Sequence, residues 1–264
     1  MIAIIGAGKM GEALLAGMLA TGHAPEDVLV TEPRAEHADE LRKRYGVEVV
    51  PAADAAKRAD TLLLALKPQD MVDLLEDLSP HLSTDRLVIS VAAGLTTSVM
   101  ESHLPVGVPV VRAMPNTPAL MGRGMTAIAG GANTEPEHLD RAEGLLGAVG
   151  EVIRVGEQHM DTVTAISGSG PAYFYFIAET MVEAGVAMGM PRATAQKLVE
   201  QTMTGAAAML TDSGEHPVVL REAVTSPGGT TAAALRELER HGVRTAFTDA
   251  IEAARDRSRA LSGS

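Results

Sequence analysis

The junction between Ile2-Ala3-Ile4-Ile5 and Gly6-Ala7-Gly8-Lys9-Met10-Gly11 constrains this chain more than any other stretch of it. An aliphatic strand that turns straight into a helix through three glycines at this spacing needs each glycine for its own reason. The first permits the tight turn, the second lets a ligand approach the backbone, and the third lets helix and strand pack closely. A lone G-x-G-x-x-G is a weak signal. One that follows a strand, opens a helix and lies in a βαβ unit meets the context the fingerprint requires. Gly6, Ala7, Gly8, Lys9, Met10 and Gly11 are therefore expected to hold the pyrophosphate of a dinucleotide.

The pattern downstream agrees with that start. Short apolar runs at Ile2–Ile5, Val28–Thr31, Thr61–Leu66, Leu87–Val91, Val108–Arg112, Thr126–Ala129 and Glu151–Arg154 alternate with helical stretches. Continuous apolar strands between helices predict a parallel sheet covered on both faces, a doubly wound Rossmann-like α/β domain. After Val155 no convincing strand follows, and the rest reads as helices. The expected division is residues 1–156 for the nucleotide-binding domain and 157–264 for an all-α domain, with a frayed tail at Ser262-Gly263-Ser264. Pro171 to Met190 is apolar enough to raise a membrane span, but Glu179 and Glu183 in its middle would be costly in lipid. It reads as a buried helix. Tyr173, Phe174, Tyr175 and Phe176 cluster there in a chain that is only 2% aromatic. The helix is either the core of its own domain or shared with a second subunit.

Charge and composition remove whole classes of function. The net charge of −12, with no basic run, argues against nucleic acid. A helix N-terminus can still hold a phosphate locally. No cysteine is present, which excludes disulfides, Cys-ligated zinc and thiol catalysis. The eight histidines show no metal-ligand spacing, no nucleophile elbow is present, and no metal is expected. Met1 to Ile5 has no basic n-region or cleavage site, so a cytoplasmic protein is expected.

Six further segments carry candidate chemistry. Glu32, at the end of the second strand, is placed to accept the ribose 2′-hydroxyl and so favours NADH, whereas Arg34 is placed to pair with a 2′-phosphate. The two cues conflict. Ala65-Leu66-Lys67-Pro68, Ala92-Ala93-Gly94 and Asn116 follow successive strands at the sheet edge where ligands bind, and the small residues leave room for a flat ring. In the helical half, Ser167-Gly168-Ser169-Gly170-Pro171 and Ser226-Pro227-Gly228-Gly229-Thr230-Thr231 each lead into a helix. Free amides and hydroxyls there suit a carboxylate. Ordinary capping explains Ser and Thr at those positions equally well.

Taken together, GAGKMG, ALKP, VAAG, RAMPNTP, SGSGPAY and SPGGTT, in this order from Ile2 to about Arg259, resemble the pyrroline-5-carboxylate reductase family. The resemblance implies reduction of 1-pyrroline-5-carboxylate to L-proline with NADPH, or with NADH. It implies that Gly6–Gly11 and Ala65–Pro68 hold the cofactor. On the substrate side it implies Ser226, Gly229, Thr230 and Thr231, with Thr231 as the catalytic residue near the ring nitrogen, and Glu157 as a further contact. It also implies a homodimer through the helical domain, with dimers assembling into a larger ring. Ala53 and Ala223 depart from relatives that carry Asn at those places. Three rivals share parts of the pattern: a β-hydroxyacid dehydrogenase, a reductase of another cyclic imine, and a non-catalytic NADPH sensor. The first needs a lysine in the helical half, where Lys197 sits among helix-surface residues. An intact SPGGTT loop argues against the sensor.

Overall fold

A computed structural model describes residues 1–262. Gly263 and Ser264, where the frayed tail is expected, lie outside the described residues. The chain divides into two compact units, one of Met1–Ser169 with the residues from Ala254 onward, the other of Gly170–Ala253.

The first unit is built on eight strands: β1 (Ile2–Ile5), β2 (Val28–Thr31), β3 (Glu48–Val49), β4 (Thr61–Leu64), β5 (Leu87–Ser90), β6 (Val110–Met114), β7 (Gly124–Gly130) and β8 (Gly150–Arg154). They line up in one sheet in the order β3-β2-β1-β4-β5-β6-β7-β8. Its helices are α1 (Lys9–Ala20), α2 (Ala35–Tyr45), α3 (Ala52–Arg58), α4 (Met71–Leu78), α5 (Thr97–Ser102), α6 (Pro136–Leu146) and α7 (Met160–Val163). Alternate residues of β1 face opposite apolar clusters, Ile2 and Ile4 in one, Ala3 and Ile5 in the other. Helices therefore cover the sheet on both sides, as continuous apolar strands require.

Two features differ from the expected all-parallel sheet. The two-residue strand β3 and helix α3 have no counterpart among the expected elements, because two residues carry no readable periodicity. The β6–β7 pair is antiparallel, with Arg112 opposite Ala129. Residues 115–123 between those strands are too few for a parallel crossover, which needs about a dozen residues or more.

Strands end at Arg154, close to the boundary expected after residue 156, but compact packing continues to Ser169. The two divisions record different things, the end of the sheet and the end of what is fastened to it. The fastening is an ion pair. Arg112, on β6, is 2% exposed, and its Nη1 donates to Glu157 Oε1 at 2.7 Å. Met160 of α7 packs with Ala127 and Ala129 of β7, and the last turns of α12 (Val243–Ser262) add Ser258 Oγ donating to Asp161 at 2.8 Å.

The second unit holds α8 (Gly170–Ala187), α9 (Arg192–Asp212), α10 (Pro217–Ala223), α11 (Thr230–Arg240) and the first turns of α12. Helix α8 does not form a buried core in this chain: Gly170 alone among its residues is buried. Phe174, Tyr175 and Phe176 are 61%, 65% and 70% exposed. Glu183, one of the two acids that argued against a membrane span, is held by Arg192 in a two-bond pair at 2.7 and 3.1 Å. Among the described residues no helix is long and apolar enough to cross a membrane.

The Arg112–Glu157 pair has a measurable cost if broken. Arg112 Nε and Nη2 and Glu157 Oε2 are buried without a partner among the described residues, so the guanidinium depends on the one bond it makes. Glu157→Ala leaves a buried charge uncompensated and is expected to destabilise by about 3 kcal/mol, the low end for such a loss because Glu157 keeps some solvent contact. Urea unfolding checks this. A midpoint unchanged from the parent would contradict it.

Candidate functional site

The glycine turn sits at the topological switch point, where β1 has β2 on one side and β4 on the other. Ligands of open α/β sheets bind outside the carboxyl ends of the strands at this place. Gly6 adopts φ +96, and its amide donates to the Thr31 carbonyl at 3.0 Å, while the Ala65 amide donates to the Ile5 carbonyl at 2.8 Å. The turn is thus held from both neighbouring strands. A Cβ on Gly6 would sit 2.8 Å from the Ala65 carbonyl oxygen, and one on Gly11 would collide with the Gly6 carbonyl. Gly8 is different: it is exposed, and a Cβ there would meet nothing within 4 Å. That is the space a pyrophosphate needs. Gly8 is also the N-cap of α1, and among the described residues no side chain caps that helix start, which leaves its first amides for an anion. Lys9 is exposed beside them. This cradle fits a dinucleotide.

Helix α2 clamps the turn from outside. His37 Nε2 donates to the Ala7 carbonyl at 2.8 Å, and the Ala7 carbonyl together with Glu40 raises the His37 pKa above its ordinary value. Arg44 Nη1 and the Tyr45 hydroxyl both donate to Glu12 of α1, at 3.0 and 2.9 Å. None of these residues stood out in the sequence. Their regular spacing along one helix is the kind of signal an ordinary charged helix face also shows.

Glu32 and Arg34 are neighbours bound to each other. Glu32 Oε1 accepts from the Arg34 amide at 2.9 Å and from Nε at 2.8 Å, and Oε2 accepts from Nη2 at 3.0 Å. The guanidinium hydrogen bond holds the Glu32 carboxyl below its usual range, against the opposing effect of burial.

The other sheet-edge residues fall in the first unit as well. Ala65 and Leu66 are half-buried after β4, Lys67 and Pro68 are exposed, Ala92 is buried after β5, Ala93 is exposed, and Gly94 adopts φ +78. Asn116 has its amide committed elsewhere: Nδ2 donates to the Ser167 carbonyl at 3.1 Å and Oδ1 accepts from the Met125 amide at 2.9 Å. It staples the loop after β6, and Glu157 is bound to Arg112. The signal for the latter pair was an arginine inside an apolar strand, since a charge buried on both faces demands a partner.

In the second unit the SPGGTT loop has the expected form. Gly228 adopts φ +71, the Gly229 amide donates to the Ser226 carbonyl at 3.0 Å, and Gly229 is the N-cap of α11 with no side-chain cap among the described residues. Thr230 and Ser226 are exposed and Thr231 is half-buried. The SGSGPAY segment leads into α8, as expected, but its first residues are already helical. Thr164–Gly168 is a π-helical turn continuing α7, and the Ser169 amide is spent on the Thr164 carbonyl at 2.8 Å. A widened turn of this kind is common at functional sites. Lys197 is exposed on α9. No group of acidic or histidine side chains able to hold a metal occurs among the described residues.

Comparison with known proteins finds matches in both halves of the chain. A family model described as pyrroline-5-carboxylate reductase dimerisation matches residues 157–261, and one described as NADP oxidoreductase, coenzyme F420-dependent, matches residues 1–94. A pyrroline-5-carboxylate reductase of Corynebacterium melassecola is 44% identical, with 98% of each chain covered. The chain belongs to the pyrroline-5-carboxylate reductase family. A solved structure of the Coxiella burnetii reductase superposes with a TM-score of 0.95 at 37% identity, covering 99% of this chain and 98% of that one. The Plasmodium falciparum pyrroline carboxylate reductase, solved with NADP bound, superposes at 0.87 with 29% identity, covering 99% and 97%. The α/β unit with a helical partner is therefore the fold of this reductase family.

The glycines separate folding from binding. Gly8→Ala is expected to keep the parent's thermal stability, because its Cβ enters open space, yet to weaken NADP⁺ binding at least tenfold in a calorimetric titration, roughly the loss of one good hydrogen-bonding contact. Unchanged affinity would show that no pyrophosphate lies there.

Proposed function

We propose that this chain reduces 1-pyrroline-5-carboxylate to L-proline, using NADPH or NADH. The observation that carries the reading is the intact glycine cradle in a chain whose relatives, matched over 98% of its length, bear the name of that reaction. Gly6, Ala7, Gly8, Lys9, Met10 and Gly11 hold the pyrophosphate, and Ala65–Pro68 with Ala92–Gly94 line the cofactor's path along the sheet edge. Asn116 acts behind that edge, by fixing the loop after β6. When bound, the dinucleotide supplies the hydride that the imine carbon accepts.

The chain's own part is to hold the substrate and receive the charge that builds on its nitrogen. Ser226 and the amides of Gly229 and Thr230, at the start of α11, hold the carboxylate, where an uncapped helix N-terminus favours an anion. The Thr231 hydroxyl, one residue on, donates a hydrogen bond to the ring nitrogen. A threonine is far too weak an acid to give its proton up, so the nitrogen of a neutral imine takes its proton through water, whereas an imine that enters protonated donates its N–H to the Thr231 oxygen. Glu157 contributes indirectly, by neutralising Arg112 beneath the turn that follows β8. Removing a donor aimed at developing charge costs about a hundredfold in turnover. Loss of NADPH absorbance on adding pyrroline-5-carboxylate tests the activity, and Thr231→Ala is expected to lower kcat about a hundredfold with NADP⁺ affinity unchanged. Full turnover in that variant would overturn the role of Thr231, and no turnover in the parent would overturn the reaction.

The helical unit is proposed to pair with its counterpart in a second copy, and the dimers to assemble into a larger ring. The support is the uncovered apolar surface. Tyr173, Phe176, Ile177, Met181, Leu238 and Phe247 line a groove of about 510 Å³, with Tyr173 and Phe247 edge-to-face at 6.5 Å. Apolar surface of this extent on one face marks an interface. Phe176→Glu is expected to give monomers in light scattering where the parent gives dimers or larger species. Unchanged mass would rule this face out.

A further inference from the structure

The acidic residue that follows β2 ordinarily accepts the ribose 2′-hydroxyl, so that its charge repels a 2′-phosphate and selects NADH. Glu32 occupies that position but faces the wrong way for the task. Its side chain is 3% exposed, while that of Arg34 is 66% exposed. Both carboxylate oxygens are turned back on Arg34, which grips them through its amide, Nε and Nη2. The guanidinium lies outermost, and its Nη1 makes no hydrogen bond among the described residues. A planar guanidinium gripped along one edge presents its other edge in a fixed orientation, the geometry suited to a phosphate.

The surroundings point the same way. Arg34 is also the N-cap of α2, which among the described residues has no side-chain cap, so the first amides of that helix are left for an anion. Gly6 is bonded to Thr31, the residue just before Glu32, which fixes this corner to the pyrophosphate cradle. The ion pair is neutral as a whole, so an incoming dianion meets no net repulsion from Glu32.

We infer that Glu32 is a positioning residue for Arg34, and that the pair makes the adenosine end of this site select NADPH over NADH. The inference rests on the reductase reading above. It inverts the usual meaning of an acid at this place: the carboxylate serves the phosphate-binding arginine in place of the ribose. The low pKa of Glu32 keeps it charged, and so keeps the pair closed, across the neutral range.

Calorimetric titration of NADP⁺, NAD⁺ and 2′,5′-ADP into the parent, Arg34→Ala and Glu32→Gln separates the possibilities without relying on turnover. The parent is expected to bind NADP⁺ at least tenfold more tightly than NAD⁺, and to bind 2′,5′-ADP. Arg34→Ala is expected to lose that preference and to hold NAD⁺ as well as the parent or better, because Glu32 is released toward the ribose. Glu32→Gln is expected to weaken NADP⁺ several-fold with NAD⁺ unchanged, a selective loss that a general disturbance of the fold would not produce. If Glu32→Gln tightens NADP⁺, or the parent prefers NAD⁺, the carboxylate reads the ribose directly and the inference fails while the reductase reading stands. If the parent binds neither dinucleotide, both fail together.

Discussion

The contact between the start of α1 and the end of β1 governs the architecture around it. Gly11 passes so close to the Gly6 carbonyl that no side chain larger than hydrogen can stand there, and Gly6 is wedged against Ala65, just past the end of the neighbouring β4. This approach brings the N-terminus of α1 directly over the switch point of the sheet. Gly8, between the two, is under no such pressure from its own protein. The same six residues thus contain two glycines required by packing and one left free for a ligand.

Electrostatics then work locally, in a protein whose net charge of −12 would repel a dinucleotide at long range. Two acidic groups near the cradle are tied to cationic or hydroxyl partners: Glu12 by Arg44 and Tyr45, and Glu32 by Arg34. These bonds also anchor α2 to α1 and to the end of β2, so neutralising charge and fixing geometry are one operation. Below the sheet edge, Arg112 and Glu157 hold the segment after β8 in the same way, with unmet hydrogen-bonding capacity as the cost.

Most of the fold was legible because burial and periodicity coincide. β1 and β2 begin and end where their apolar runs do, and the chain after β8 is helical, as expected. What escaped was whatever depends on partners distant in sequence. The antiparallel turn of β7 follows from a short connection and not from strand composition. The π-helical turn at Thr164–Gly168 hides behind serines and glycines that equally suit a loop. The exposure of Phe174 to Phe176 follows from what the rest of the chain fails to cover, which periodicity does not register. At the site, the glycines were readable because the turn, the ligand's approach and the helix packing each call for one at a fixed spacing. The bonds of Glu32, Asn116 and Glu157 were not, since each depends on which neighbour the fold delivers.

On the proposed reading, the glycine cradle serves hydride transfer to a cyclic imine. Incubation with pyrroline-5-carboxylate and NADPH deuterated at nicotinamide C4, on each face in turn, followed by NMR of the product, tests it directly. Deuterium is expected at C5 of proline from one of the two labelled cofactors and none from the other. Proline free of deuterium in both cases, or no proline at all, would contradict it.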